Sequence, residues 1–248
     1  MPSVATAFRN QLGWRLDEST TPKTLALVGG NNPSSRSAVV EKTLLKIRDE
    51  KKFVILSRWR NERKPVYGPA GQLLFAVERA ATPLLGVVTY GIHMTAFTGS
   101  ESGQTKIWLQ RRSKNTAFYP GLLDNTVAGG IPVGEEPNDA AVHEAFEEAS
   151  IPESLVRPNI KPCGTLTCMH LRGDTAIGEV GLVQPIVEYL FELELPAGFV
   201  PKPHDHEAES FKLLDVDEIK AALLEGTCRF FQYNQFLLPV LFPFPRTD

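Results

Sequence analysis

The chain contains several runs in which apolar residues alternate with polar ones or dominate a short stretch, a pattern typical of β-strands. From residue 86 onward these runs are GVVTYGIHMTAFTG, KIWLQRRS, NTVAGGI, PNIKPCGTLTCMHL and VQPIVEYLFELELP. The polar segment GSESGQ between the first two predicts a β-hairpin. In the last run, Val187, Tyr189 and Phe191 alternate with Glu188 and Leu190, which predicts a strand with two different faces.

Two other segments show the helical period. The first extends from Asp139 to about Ala149 and is stopped by Pro152. The second is DVDEIKAALLEG, in which Asp215 at the N-cap and Glu218 three residues later form the pattern of a capping box. Strands and helices mix without regular βαβ alternation, which favours an α+β fold with a mixed-sheet sandwich over a doubly wound sheet.

The beginning of the chain has its own pattern, and we expect an N-terminal α/β subdomain over residues 1–85 and a second domain over residues 86–248. Within the subdomain, Ser37 is a candidate cap for a helix from Ala38 to Asp49. Three further segments predict a strand, a turn and a second strand, in this order: FVILSRW, KPVYGPAG and LLFAVERAA.

The composition excludes several classes of protein. A net charge of −3 argues against a nucleic-acid or membrane-surface binder, and no apolar run approaches the roughly 18 residues of a membrane span. The three cysteines match neither a disulfide framework nor a zinc pattern, which indicates reduced thiols. We therefore expect a cytoplasmic protein, with a mitochondrial presequence containing Arg9 and Arg15 as the weaker alternative.

The helix predicted from Asp139 carries the candidate chemistry. Residues three and four apart share a helix face, so Glu144, Glu147 and Glu148 are expected to project together. Three like charges at this spacing repel one another, and a hard divalent cation, Mg²⁺ or Mn²⁺, would neutralise them. Taken alone, the segment EAFEEA would more commonly be a solvated helix face.

The segment in front of this helix favours a metal site over a solvated helix face. Gly129 and Gly130 allow the backbone to approach a ligand closely, and Glu135 can fold back onto the carboxylate cluster. Together, the loop and the helix predict a site for a metal ion and a diphosphate.

The whole segment GGIPVGEEPNDAAVHEAFEEASI resembles the Nudix box, G-x5-E-x7-R-E-U-x-E-E-x-G-U with U apolar. The positions that agree are Gly129, Glu135, Glu144, Ala145, Glu147, Glu148 and Ile151. His143 stands where the family has arginine, and Ser150 stands where it has glycine. The arginine usually orients the glutamates, and a histidine could do so only when protonated.

The flanking segments resemble one Nudix subfamily, the fungal and plant proteins related to thiamine pyrophosphokinase fusions. They are SRWRNERKPVYG, FAVERAATPLLG, GVVTYGIHMTAF, KIWLQRRSKNTAFYPGLLDNTVAGGI and EYLFELELPAGFVPKPHDHEAESFKLLDVDEI. The resemblance implies a Nudix α/β/α sandwich with a mixed sheet. It also implies Mg²⁺-dependent hydrolysis of oxidised thiamine diphosphates, such as oxythiamine and oxothiamine diphosphate, to the monophosphates.

The resemblance also suggests roles for individual residues. Glu144, Glu147, Glu148 and Glu135 would bind the metal, with the backbone of Gly129 or Gly130 completing the site. The general base would be Glu147, Glu148 or an acid of the late segment DHEAES, where we favour Glu207; a solvated acidic loop is the competing interpretation.

Two further groups are candidates for substrate binding. The first comprises the cations Arg111, Arg112 and Lys114, one of which could contact the distal phosphate, although each alone is more often a surface cation. The second lies in the N-terminal subdomain and could hold a heteroaromatic ring, with plain packing as the alternative; it comprises Trp59, Arg60, Asn61, Glu62 and Tyr67.

Three functions remain open at this point. The first is a thiamine-analogue diphosphatase. The second is a Nudix hydrolase of nucleoside diphosphate derivatives, such as nucleotide sugars, dinucleotides or damaged nucleotides. The third is a non-catalytic Nudix-fold binding module, which the histidine at position 143 keeps under consideration.

Overall fold

The computed structural model describes residues 4–99, 105–116, 120–173 and 178–225. The helices are α1 (Val4–Phe8), α2 (Pro33–Asp49), α3 (Thr82–Leu85), α4 (Pro137–Ala149), α5 (Glu153–Asn159) and α6 (Val216–Glu225). The strands are β1 (Trp14–Asp17), β2 (Thr24–Leu27), β3 (Arg63–Tyr67), β4 (Leu73–Glu78), β5 (Thr89–Gly99), β6 (Thr105–Arg112), β7 (Leu123–Asp124), β8 (Val127–Gly130), β9 (Ile160–Leu171), β10 (Val183–Glu194) and β11 (Ala208–Asp215).

The chain forms two compact units. The first comprises the described residues of 1–89, 132–134 and 167–186, and the second comprises the remainder. The apolar segment QFLLPVLFPFP near the C-terminus lies outside the described residues, as do Cys228 and most of the GSESGQ turn. No helix in the described ranges is both long and apolar enough to cross a membrane.

The core of the first unit forms where α2 packs on β4. Val40, Leu44 and Ile47 on one face of α2 are fully buried and cluster with Val77 of β4. Their spacing of four and three residues places them on one helix stripe, as an amphipathic helix requires. The pairs β1–β2 and β3–β4 form separate antiparallel two-stranded sheets in this unit.

The start predicted for α2 is wrong. The helix begins at Pro33 rather than Ala38, and its N-cap is Asn32, whose side chain accepts a hydrogen bond from the backbone N–H of Ser35. Ser37 instead lies inside the helix, where its hydroxyl donates to the carbonyl of Pro33 and accepts from the N–H of Ala76 in β4. Asn32 is the N-cap because asparagine is favoured at that position and because the proline that follows it fits the first helical turn.

Two further N-terminal predictions are also wrong. Val54–Arg58 forms a 3₁₀ helix rather than a strand, because the side chain of Glu179 accepts hydrogen bonds from the N–H groups of Val54 and Ile55. The KPVY part of the predicted turn is strand β3, and the turn follows at Gly68. Pro65 is tolerated there because β3 is an edge of a two-stranded sheet. The strand predicted from Leu73 is confirmed as β4.

The second unit contains a seven-stranded sheet with the order β11-β6-β5-β10-β9, to which β7 and β8 are added beside β6 and β5. The pairs β11–β6, β6–β5, β5–β8 and β6–β7 are antiparallel. In contrast, β5 and β10 run in the same direction, since Gly91 lies by Glu188 and Phe97 accepts a hydrogen bond from Leu195. The sheet is therefore mixed, which confirms the predicted fold class.

The sheet splits where β7 and β8 enter between β5 and β6, and Thr126 closes the split. Its hydroxyl accepts a hydrogen bond from the N–H of Ala96 at 2.7 Å and donates to the carbonyl of Trp108 at 2.5 Å. The Thr126 side chain thus takes the place of a direct backbone hydrogen bond between β5 and β6. Thr126 is completely buried, so these backbone groups have no access to water as a substitute.

Helix α4 lies on this sheet through small side chains. Ala141, Ala145 and Ala149 are fully buried and pack in one core cluster with Ile92 and Met94 of β5. Alanine keeps the distance between helix and sheet short, so polar side chains at the flank of the helix reach the backbone of the sheet. The helix predicted from Asp139 to Ala149 is confirmed, beginning two residues earlier at Pro137.

The end of α4 shows why the Nudix box has glycine at the position that Ser150 occupies in this chain. Ser150 adopts a left-handed conformation with φ of 54°, and its N–H and that of Ile151 return to the carbonyls of Phe146 and Ala145. Serine at a position of positive φ is less favourable than glycine, and the fully buried side chain of Ile151 holds the turn in place.

The capping box of α6 is also confirmed, by reciprocal bonds between Asp215 and Glu218.

Candidate active site

The first element of the site is the contact between α4 and β8. The carboxyl group of Glu144 lies directly on Gly129, where an added β-carbon would be closer than 3.0 Å to three atoms of the glutamate. A side chain at this position would displace the Glu144 carboxyl group, which lies against the end of β8. The prediction that Gly129 serves a close approach to a ligand is not tested by this contact.

Glu148 is the buried centre of the site. Its side chain is 2% exposed, and its Oε2 atom accepts a hydrogen bond from the N–H of Ala128 at 3.0 Å. Burial raises the pKa of Glu148 well above its usual value, and the negative charge of Glu144 raises it further. The Ala128 hydrogen bond opposes this rise, while Glu207 and Asp124 add to it. Four carboxylates thus act on one another at this point.

Glu207 reaches the site because its loop is attached to the end of α4. The N–H groups of Lys202 and Asp205 donate to the carbonyls of Ala149 and Glu147, at 3.0 and 3.1 Å. His204 adds a contact between its Nδ1 atom and the Phe146 carbonyl at 3.1 Å, and the two rings meet edge to face. The carbonyls of Glu147 and Ala149 lie in the last turn of α4, where a helix leaves its carbonyls without intrahelical partners, so the loop uses these two as its anchor.

The same loop is also tied to β6. The carbonyl of Glu207 accepts a hydrogen bond from the N–H of Ser113, and the N–H of Glu207 is held by the carboxylate of Asp205 at 2.8 Å. The backbone of Glu207 is therefore fixed from two sides, while its side chain is exposed.

Glu147 and Glu135 are the other two predicted metal ligands. Glu147 is exposed on α4, one residue before the buried Glu148. Glu135 is largely covered and forms an ion pair with His143, whose side chain is 72% exposed. His143 thus contacts a predicted metal ligand, in the position where the box pattern has arginine.

Asp124 is a component that the sequence analysis missed. It is 4% exposed, and its Oδ2 atom pairs with Nη1 of Arg112 at 2.9 Å. Burial raises the pKa of Asp124, and Arg112 lowers it. The available signal was the polar pair at Asp124 and Asn125 between two short apolar strands, since polar residues at a strand junction commonly face a site.

The other predicted cations have different surroundings. Arg111 points to the opposite face of β6 and donates to the carbonyl of Gly121 at 2.6 Å. Lys114 is exposed in the turn after β6. Arg112 is therefore the cation of this group that is linked to the carboxylates, through Asp124.

The candidate ring-binding residues lie in the first unit. The Nε1 atom of Trp59 donates to Oδ1 of Asn61 at 2.9 Å, and the guanidinium of Arg48 lies over the indole ring at 4.8 Å. The backbone N–H of Arg60 donates to Glu78, and Tyr67 is 39% exposed at the end of β3.

The carboxylates fit a hard divalent cation in their chemistry. Among the described residues, no three His, Cys, Asp or Glu side chains are already arranged as a complete cation site. Mg²⁺, however, keeps several waters and substrate oxygens and needs only one or two protein carboxylates. The burial of Glu148 beside Glu144, with the charges of Glu207 and Asp124 acting on it, is the feature that a bound cation would relieve.

Two protein families match the sequence. Residues 92–231 match the NUDIX domain, and residues 25–89 match a domain of unknown function, DUF4743. An uncharacterized protein of Saccharomyces cerevisiae is 31% identical over 193 residues, which cover 76% of this chain and 56% of the relative. Nudix hydrolase 20, chloroplastic, of Arabidopsis thaliana is 35% identical over 186 residues, which cover 75% and 47%. The chain thus spans about half the length of these relatives.

Solved structures agree with the fold. A protein of Deinococcus radiodurans superposes with a TM-score of 0.52 at 19% identity, covering 73% of this chain and 99% of that one. At this level of identity the likeness concerns the fold alone, and it confirms the predicted sandwich.

Proposed function

This chain belongs to the Nudix family, and on that premise we propose that it is a Mg²⁺-dependent hydrolase that cleaves a diphosphate linkage. The observation that carries the proposal is the buried carboxylate of Glu148, which is surrounded by the charges of Glu144, Glu207 and Asp124. A structural role alone gives no reason to gather three acids around a buried glutamate, because their repulsion destabilises the folded chain.

The proposed metal ligands are Glu144, Glu147 and Glu148, with Glu135 and the backbone at Gly129 or Gly130 completing the site. Mg²⁺, or Mn²⁺ in its place, would supply Lewis-acid stabilisation of the charge that develops on the diphosphate. Within the chain, Ala128 orients Glu148 through its N–H, and Gly129 gives Glu144 the space to reach the end of β8. Both carboxylate side chains thus lie against the backbone of β8.

Glu207 is our candidate for the general base that takes a proton from the attacking water. Its loop is anchored to α4 through Lys202 and Asp205, and its side chain is exposed. This combination of a fixed backbone and an accessible carboxylate suits proton transfer, which requires a base held within hydrogen-bond reach of the water. Glu147 and Glu148 are the other candidates, but both are assigned to the metal.

His143 takes the orienting position through its ion pair with Glu135. An arginine remains charged at all working pH values, whereas a histidine loses its charge on deprotonation. We therefore propose that Glu135 is oriented more weakly here than in relatives that carry arginine.

For the substrate, we propose oxidised thiamine diphosphates, which would be cleaved to the monophosphate and orthophosphate. Support comes from the flanking segments that resemble the thiamine pyrophosphokinase-related subfamily, and from the match of residues 25–89 to a separate domain that precedes the Nudix match. The phosphate-binding role of Arg111, Arg112 or Lys114, and the ring-binding role of Trp59, Arg60, Asn61 and Tyr67, belong to this proposal.

The experiment is a panel assay of the full chain with Mg²⁺, measuring orthophosphate and monophosphate. The panel contains thiamine, oxythiamine and oxothiamine diphosphates, ADP-ribose, NADH and several nucleotides. A preference for the oxidised thiamine diphosphates supports the substrate proposal. Activity confined to nucleotide derivatives would retain the metal site and reject the substrate, and the absence of any turnover would favour a binding module.

A further inference from the structure

A second possible binding site lies within the first unit. A partly open cavity of about 300 Å³ is lined by Glu41, Asn61, Arg63, Ala76, Val77 and Glu78. Its volume is at the lower end of the roughly 300–1,000 Å³ that small-molecule sites occupy. Ala76 and Val77 of β4 belong to one part of the wall, and charged residues form the other part, so the cavity suits a small molecule with an apolar body and a polar end.

Glu78 is the group that points to a ligand. Its side chain is 5% exposed, yet it lines this cavity. Its Oε1 atom accepts from the N–H groups of Arg60 and Ala80, at 3.0 and 3.3 Å, and so caps the short helix at Arg79–Ala81. Capping accounts for Oε1 alone: the described residues provide no hydrogen-bond donor for Oε2.

The charge of Glu78 has no counterpart in the part of the chain that the structure describes. The neighbouring acid Glu62 is more exposed and still pairs with both Lys64 and Arg79, at 2.6 and 2.8 Å. Glu78 is thus the less exposed of the two acids, and it is the one without a cationic partner among the described residues.

The nearest candidate for that partner is engaged elsewhere. Arg63 lies directly opposite Glu78 in the β3–β4 ladder. Its guanidinium instead donates to both carboxylate oxygens of Glu41, at 2.9 and 2.8 Å. The charged lining therefore consists of one internally satisfied ion pair and one remaining carboxylate, which leaves the cavity with an excess negative charge.

We propose that this cavity binds a small organic cation that carries N–H donors, with its charged end on Oε2 of Glu78 and its apolar body against Ala76 and Val77. A conjugated amidinium group fits this chemistry, because it combines a positive charge with N–H donors, one of which can bind Oε2. The proposal requires neither the metal site nor hydrolysis, and Asn61 is the lining residue that it shares with the proposed ring-binding group.

The test is a calorimetric titration of the full chain with benzamidinium, in the absence of metal and of any diphosphate. The neutral analogue benzamide has the same shape and serves as the ligand control. We expect saturable 1:1 binding of benzamidinium and at least tenfold weaker binding of benzamide. Equal binding of the two compounds, or no saturable binding of benzamidinium at millimolar concentrations, would overturn the proposal.

Three variants locate the site. Glu78→Gln keeps an oxygen that can cap the short helix but removes the charge, and it should weaken benzamidinium binding at least tenfold. Glu41→Gln, at the exposed rim, should weaken it severalfold, because Arg63 is then free to turn to Glu78. Asp49→Asn, on the exposed end of α2, is the control and should leave the affinity unchanged. Wild-type affinity in both Glu78→Gln and Glu41→Gln contradicts the site, and Glu41→Gln decides if Glu78→Gln fails to fold.

Discussion

The carboxyl group of Glu144 fills the space in which a side chain at position 129 would lie, because an added β-carbon on Gly129 would be closer than 3.0 Å to its Cγ, Cδ and Oε1 atoms. The two residues come from different elements, β8 and α4, and are 15 positions apart in the sequence. The identity of residue 129 thus controls where a proposed metal ligand can point.

Gly129→Ala should therefore displace Glu144 without unfolding the chain. We expect a loss of about 10–100-fold in Mg²⁺ affinity or turnover, as is typical when the support of a metal ligand is disturbed. The measurement is the Mg²⁺ dependence of hydrolysis, together with the melting temperature. Gly173→Ala is the matched control, since an added β-carbon there meets no atom within 4 Å. Unchanged Mg²⁺ dependence in Gly129→Ala would contradict the role given to this contact.

The buried carboxylate of Glu148 predicts a pH dependence of stability. Its pKa is raised above the ordinary value of 4.5, so the folded chain binds a proton that the unfolded chain releases. Folding stability should thus fall as the pH rises from about 4.5 through the raised pKa, in the absence of metal. The free energy involved is about 1.4 kcal/mol for each unit by which the pKa is raised.

Glu148→Gln should remove this loss. The variant is expected to become more stable than the metal-free wild type as the pH rises above 4.5, with the difference vanishing in more acidic solution. Urea unfolding at several pH values measures the effect. A variant that is equally or less stable at neutral pH would show that Glu148 is not under electrostatic strain. Glu136→Gln, at an exposed position before α4, is the control.

The loop that carries Glu207 predicts a difference between two neighbouring acids. Glu207→Gln should lower kcat by about 10²-fold or more with little change in KM, as expected for loss of a general base. Glu209→Gln should be nearly neutral, because Glu209 is exposed and does not contribute to the pKa of Glu148. Steady-state kinetics of both variants decide the point, and equal losses would mean that the loop acts only through its total charge.

Thr126 predicts an effect on stability that is independent of the chemistry. Thr126→Val keeps the shape of the side chain but leaves the N–H of Ala96 and the carbonyl of Trp108 without their hydrogen-bond partner. Each buried unsatisfied group costs roughly 1–3 kcal/mol, so we expect a loss of about 2–4 kcal/mol in the free energy of unfolding. Thr98→Val, at a half-buried position near the end of β5 where, among the described residues, the hydroxyl donates only to the adjacent Gly99 carbonyl, should change stability by less than about 0.5 kcal/mol. Comparable losses in both variants would reject the bridging role.

Helix α4 was predictable because its signals are local. Alanines at the sheet-facing positions, Pro152 after the end, and Glu144, Glu147 and Glu148 at helical spacing all lie within one short segment. The same spacing could not reveal that Glu147 is exposed while Glu148 is buried. This difference arises from the strand above the helix, through the N–H of Ala128.

The errors of prediction have long-range causes. FVILSRW has the composition of a strand, but the side chain of Glu179, more than 120 residues away, captures two of its N–H groups. Asp124 joins the site only because β7 and β8 enter between β5 and β6, a topology that periodicity does not encode. Interactions of this kind override local propensity. The box glutamates could therefore be identified from the sequence, but their environment could not.

The central claim is that Glu148 and its neighbouring carboxylates bind the metal that drives hydrolysis. The most direct measurement is orthophosphate release from oxythiamine diphosphate as a function of Mg²⁺ concentration, for wild type, Glu148→Gln and Glu136→Gln. We predict Mg²⁺-dependent turnover in wild type and Glu136→Gln, and a loss of at least about 10²-fold in Glu148→Gln, since metal-assisted charge stabilisation contributes several kcal/mol. Mg²⁺-dependent turnover that Glu148→Gln leaves unchanged would contradict the account.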